Sequence, residues 1–162
     1  LRFSRPTSER GRTDLVAVVG RSVAMAAYGR SFKGVTVERV GLEQPLVVSG
    51  DAGRLEQVLL NLLLNAARAM GGEGRITITG ARTTDASGAW IELTVDDEGT
   101  GIAPGALGRL FDPFFSASGG TGLGLSVSYG IVKAHGGTLT AANRSPRGAR
   151  FAIRLPAGES PR

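Results

Sequence analysis

The chain has 162 residues, a formal net charge of +5 and no cysteine. That length suits one domain with a real core; the missing cysteines exclude disulfides and thiolate metal sites, and the lack of any apolar run of about 18 residues excludes a membrane-spanning helix. The arginines are scattered without interleaved aromatics, so the positive charge reads as a solvated surface and no nucleic-acid partner is expected.

Leu1 to Arg12 is polar, basic and interrupted by Pro6. It lacks the apolar segment of a signal peptide and opens without methionine, so residues 1–11 are expected to be a linker within a longer protein, with the domain proper over 12–156 and a tail from 157 to 162. Thr13 or Asp14 can cap a helix that the apolar spacing carries from Leu15 to about Tyr28. Val35 to Val40 alternates as a strand and Leu46 to Ser49 is a second, shorter one. Asp51 caps the longest helix, which runs to Met70 and stops at Gly71-Gly72. Arg75 to Ala81 and Trp90 to Val95 are strands about a turn from Thr83 to Gly88. Thr100 to Gly122 is a long loop with a helical turn at Pro104 to Leu110, and a loop longer than about 15 residues in a compact domain is usually functional. A helix from Leu123 to Ala134 ends at Gly136-Gly137, and Thr138 to Ala142 and Ala149 to Leu155 are the last strands. This order predicts an α/β sandwich, a mixed sheet with helices on one face.

The helix RLEQVLLNLLLNAARAM carries a narrow polar seam. At ~100° per residue, Arg54, Gln57, Asn61, Asn65 and Arg68 fall within a sector of about 80°, with apolar residues on both flanks. Buried amides need partners or cost about 1–3 kcal/mol each. Two readings fit. Asn61 and Asn65 bond to neighbouring backbone, or Asn65 offers its carbonyl oxygen to Mg²⁺, a hard cation that shares its shell with phosphates and waters, with Arg68 one turn on meeting phosphate oxygens.

Asp97 stands where an apolar strand meets the glycine turn of DEGTG. It is either a turn-forming aspartate or a carboxylate that accepts a hydrogen bond from an exocyclic amine and so selects adenine, with Gly99 and Gly101 letting the backbone lie against the base. Phe111, Phe114 and Phe115, joined by Ile102 and Leu110, are expected to pin the long loop to the core by burial. GGTGLGLS follows. It is neither the P-loop nor the dinucleotide fingerprint; before an amphipathic helix it reads as a phosphate cradle of backbone N–H groups at Gly122, Leu123, Gly124 and Leu125.

The ordered set QVLLNLLLNAARAM, DDEGTGIAP, LFDPFF and GGTGLGLS with IVKAHGG resembles the ATP-binding catalytic domain of bacterial sensor histidine kinases, within the superfamily that includes gyrase. The resemblance covers about residues 12 to 156. It implies a two-layer Bergerat fold, a mostly antiparallel mixed sheet with about three helices on one face, and a site for ATP and Mg²⁺. Asn61 and Asn65 match the family's N box, with Asn65 the metal ligand and Arg68 near the phosphates. Asp97, Gly99 and Gly101 match the first glycine box beside Ile102, and Phe111 to Phe115 match the F box. Gly120, Thr121, Gly122, Leu123, Gly124 and Leu125 match the second glycine box.

Asn61 stands where the superfamily's hydrolases carry a glutamate that activates water. An amide is no general base, which favours transfer of the phosphoryl group to another acceptor, mostly by positioning and charge stabilisation. Two departures accompany the match: the lid reads FFSAS where relatives often read FFTTK, and it is slightly short. His135, the chain's one histidine, sits at a helix end and not in a phosphoacceptor context. The acceptor histidine is expected on a separate dimerisation domain, from which the phosphate passes to an aspartate on a response regulator, in a homodimeric parent. The domain itself is expected to be cytoplasmic and not inserted in a membrane. A protein-serine kinase of the same superfamily and a catalytically silent nucleotide-binding module are the alternatives.

Overall fold

The structure, a computed structural model, describes residues 11–115 and 124–158. Five strands form the main sheet in the order β2-β4-β5-β7-β6: β2 (Gly34–Val40), β4 (Glu73–Asp85), β5 (Gly88–Asp97), β6 (Thr138–Asn143) and β7 (Ala149–Pro156). β2 and β4 are parallel and the other pairs antiparallel, so the sheet is mixed and mostly antiparallel. Between β2 and β4 runs α2 (Ala52–Ala69), the crossover that a parallel pair requires.

β4 and β5 are longer than their alternating cores suggest. Asp85 pairs with Gly88, so the turn shrinks to two residues. The Asp85 carboxylate accepts from the Ser87 N–H at 2.8 Å and from Trp90 Nε1 at 3.2 Å, and Gly88 takes a φ of 129° that glycine tolerates.

One face of the sheet is apolar. Ile76 and Ile78 of β4, Ile91, Leu93 and Val95 of β5, and Phe151, Ile153 and Leu155 of β7 are all buried at the alternate positions that point one way. They belong to one core with Leu55, Leu59, Leu62 and Leu63 of α2. α2 packs between α1 (Leu15–Ala26) and α4 (Gly124–Ala134); α3 is a single turn, Pro104–Leu107. The helical layer over one face is the arrangement expected. On the opposite face Asp96 is nonetheless buried, because Arg150 forks onto its carboxylate at 2.7 and 2.8 Å.

Two boundaries differ from expectation at the ends of the described chain. The segment expected as linker up to residue 11 contributes the start of a strand, β1 (Gly11–Asp14), antiparallel to β3 (Val47–Gly50) in a separate two-stranded sheet. Thr13 is buried there with its hydroxyl donating to the Gly50 carbonyl at 3.0 Å. Asp14 then caps α1, accepting from the Val16 N–H at 3.0 Å and also from the Leu46 N–H at 3.1 Å. Past Leu155, the segment expected as tail stays attached. Ala157 donates to the Ala89 carbonyl at 2.9 Å and Gly158 to the Val47 carbonyl at 2.7 Å. α1 stops at Ala26 rather than Tyr28, which is left 93% exposed.

Candidate functional site

Asp97 is the last residue of β5 and its side chain points into the layer between sheet and helices, 1% exposed. One carboxylate oxygen is spoken for: Oδ1 accepts from the Gly99 N–H at 2.8 Å and the Ala149 N–H at 3.2 Å. The other, Oδ2, is buried without a partner among the described residues. An orphaned buried acceptor is costly and points to a ligand that donates. Burial pushes the Asp97 pKa up; the two N–H groups and the Arg144 guanidinium pull it back, and the neighbouring Asp96 charge adds to the rise.

The turn after Asp97 is gripped from outside. Asn143 brackets Ile102, accepting its N–H at 2.6 Å and donating to its carbonyl at 2.8 Å. Arg144 donates to the Asp97 carbonyl at 2.7 Å and Arg147 to the Gly99 carbonyl at 3.2 Å. On the inner side the Thr100 N–H reaches the Ala69 carbonyl at 3.3 Å. A Cβ on Gly99 would stand 2.6 Å from that carbonyl oxygen, so the glycine is demanded by the approach of α2. Gly101 has φ 78°, in the left-handed region. None of the four hairpin residues that surround this turn (Asn143, Arg144, Arg147 and Gly148) stands out in the sequence; NRSPRG reads only as a turn between strands.

The polar seam of α2 lies where its spacing predicts. Arg54, Gln57 and Arg68 are exposed and Asn61 and Asn65 half-buried, between buried flanks. The partner that Asn61 needs is α4: its Nδ2 donates to the Gly124 carbonyl and to Ser128 Oγ, each at 3.2 Å. Asn65 and Arg68 have no side-chain hydrogen bond or ion pair among the described residues. No three His, Asp or Glu side chains gather as a metal cage among them either. The half-buried Asn65 amide carries a hard oxygen donor, on the same helix face as Asn61. That suits a cation such as Mg²⁺, which takes one or two protein oxygens and completes its shell with phosphates and waters.

Of the second glycine box, Gly124 and Leu125 lie in the first described turn of α4. Gly120, Thr121, Gly122 and Leu123 lie outside the described residues. In the aromatic segment Phe111 stacks on Tyr129 of α4 at 5.2 Å. Phe115 is half-buried beneath the Arg109 guanidinium at 4.8 Å, and Leu110 is buried. Phe114 corrects the expectation of a fully buried knot: it is 77% exposed with φ 66°, a backbone turn that directs its ring outward. His135 closes the far end of α4. Its Nδ1 faces the Ile131 carbonyl at 2.8 Å and its Nε2 accepts from the Asp51 N–H at 3.1 Å, so the histidine ties the last turn of α4 to the N-cap of α2.

A buried acceptor at a glycine turn and an amide-bearing helix thus stand together on a sheet with one helical face. Residues 50–159 match the family described as histidine kinase-, DNA gyrase B-, and HSP90-like ATPase, and the chain belongs to that family. The chain is 37% identical over 144 residues to the sensor histidine kinase ZraS of Escherichia coli O157:H7, covering 88% of this chain and 31% of that protein. It is 40% identical over 149 residues to the two-component sensor PprA of Pseudomonas aeruginosa, covering 88% of this chain and 16% of that one. Thus it spans less than a third of either relative. Among solved structures, the mycobacterial sensor histidine kinase MprB superposes with a TM-score of 0.80 at 29% identity, over 93% of this chain and 99% of that one. The fold and the relatives together place the chain among the ATPase catalytic domains of sensor histidine kinases. No helix among the described residues is long and apolar enough to cross a membrane.

Proposed function

We propose that this chain binds Mg-ATP between the end of β5, the polar seam of α2 and the start of α4. It then passes the γ-phosphoryl group to a histidine on a separate dimerisation domain, for relay to a response regulator. The observation that carries this is the buried, unpartnered Oδ2 of Asp97 beside a glycine turn. It is placed to accept from the exocyclic amine of adenine, a position where guanine offers a carbonyl. Ile102, with both its backbone groups held by Asn143, and Gly101 flank the base. Asn65 supplies an oxygen to Mg²⁺, which when bound neutralises phosphate charge. Arg68, Gly120, Thr121, Gly122, Leu123, Gly124 and Leu125 cradle the phosphates. Asn61 holds α2 to α4 and, as an amide, activates no water, which supports transfer over hydrolysis. A solved relative, ShkA, is described as a complex with AMPPNP; it is 26% identical with a TM-score of 0.76, over 93% of this chain and 31% of that one.

Asn65→Ala is the direct test of the metal role. Calorimetric titration with a non-hydrolysable ATP analogue should show that the wild-type chain gains affinity with Mg²⁺ and the variant does not. Retained Mg²⁺ dependence in the variant would refute the assignment. Joined to a dimerisation domain, the wild type should yield an acid-labile phosphoprotein, as phosphohistidine requires; an acid-stable product would mean a serine acceptor.

The pH dependence follows from Asp97. Only the ionised carboxylate accepts at both oxygens, and burial raises the pKa of the free site. Adenine-nucleotide affinity should therefore increase as pH rises through a window above the usual carboxylate range, and flatten once the group is ionised. An affinity constant across that window would remove Asp97 from the contact.

A further inference from the structure

We propose that Ser128 is a positioning residue that sets the polarity of Asn61, holding its amide nitrogen on α4 and leaving its carbonyl oxygen for the nucleotide site. Ser128 lies one turn into α4, fully buried. Its hydroxyl has one proton, and that proton goes to the Gly124 carbonyl at 2.8 Å. Toward Asn61, 3.2 Å away, it can only accept. The atom facing it is therefore the amide nitrogen, and the Gly124 carbonyl, also 3.2 Å from that nitrogen, requires the same assignment. The two acceptors stand 2.8 Å apart, on one side of that nitrogen, and together hold it on α4.

What remains is Oδ1, which has no hydrogen-bond partner among the described residues. Asn61 then offers that oxygen to a cation or to a water in its shell. An alanine at position 128 would leave the amide with the Gly124 carbonyl alone. Rotation of the amide would then no longer cost a second hydrogen bond. The inference rests on the reading of α2 and α4 as the metal and phosphate side of the site.

Ser128→Ala has two readouts. In the ligand-free chain, the Asn61 side-chain NH₂ protons, followed by NMR, should exchange with solvent faster than in wild type. In titrations with ADP, the gain in affinity on adding Mg²⁺ should fall about fivefold, the worth of one ordinary hydrogen bond, while the Mg²⁺-free affinity stays unchanged. In an Asn61→Ala background the same substitution should do nothing further to the Mg²⁺ gain. If Ser128→Ala leaves that gain intact, or weakens binding equally with and without Mg²⁺, the residue is merely structural and the inference fails alone. If wild type itself ignores Mg²⁺, the metal reading fails and takes this inference with it. A further loss in the Asn61→Ala background would show that Ser128 acts through another group.

Discussion

Asp97→Asn is expected to remove adenine-nucleotide binding while leaving the fold standing. The asparagine carbonyl can replace Oδ1 and keep the N–H groups of Gly99 and Ala149. Its amide then occupies the position of Oδ2, the buried acceptor without a partner, and presents donors to a donor. The loss of a hydrogen bond to a charged group, together with an unsatisfied buried donor, amounts to about 3 kcal/mol or more, roughly a hundredfold or greater in affinity. The stability sign is opposite. The folded-state pKa of Asp97 is raised by burial, so its contribution to stability is present below the unfolded pKa, where the group is neutral. That contribution is lost as pH rises through the folded value, and above it the buried charge is a cost to the empty domain. Relief of that cost offsets the amide donor left buried without a partner, so the variant should stay folded and melt close to the wild-type temperature. Thermal unfolding beside an ATP-analogue titration checks both halves; a variant that binds normally, or one that has lost its fold, would contradict the account.

Gly148→Ala should damage the same site from the other side. Gly148 has φ 99°, and a Cβ there would run into the Asp97 backbone carbonyl. The backbone strain costs about 1–3 kcal/mol, and displacing the end of β5 adds to it. Melting should drop by about 5–10 °C in a chain of this size, and nucleotide affinity should fall more than tenfold, because Ala149 and Arg144 lose their register on Asp97. Gly88→Ala is the control. Its φ of 129° carries similar strain, but a Cβ there meets nothing within 4 Å and the turn lies at the far end of β5. It should lower the melting temperature and leave binding alone. Equal effects of the two on affinity would show that strain, not contact with Asp97, governs Gly148.

What could be read from the sequence was local. The seam of α2 is visible because helical periodicity sorts Asn61 and Asn65 from Leu62 and Leu63. Asp97 is visible because an alternating strand ends in glycines. The two ends of α4 are visible as glycines around an apolar stretch. Hidden were contacts whose partners lie far along the chain. GRTD has no alternation that marks a strand and becomes one only because VVSG pairs with it. Asn143, Arg144 and Arg147 carry no pattern of their own; their function comes from the pairing of β5 with β7 and of β7 with β6, which lays their turn over the backbone of residues 97–102. Ser128 is legible as a helix residue, but its hydroxyl matters only through the position of Asn61, 67 residues earlier. Phe114 shows the converse. Its chemistry argued for burial, and the backbone at that residue turned it out.

The hairpin's grip on Asp97 also sets an order of events at the ribosome. The glycine turn and α2 are synthesised well before Ala149, yet the second N–H on the Asp97 carboxylate and every outer clamp on residues 97–102 arrive with the last two strands. A nascent chain that has emerged only as far as α4 holds Asp97, Asn61 and Asn65, and still lacks the residues that make these contacts. A chain cut before Asn143 would lack all of these contacts, and we expect it to bind adenine nucleotide more weakly than the whole domain.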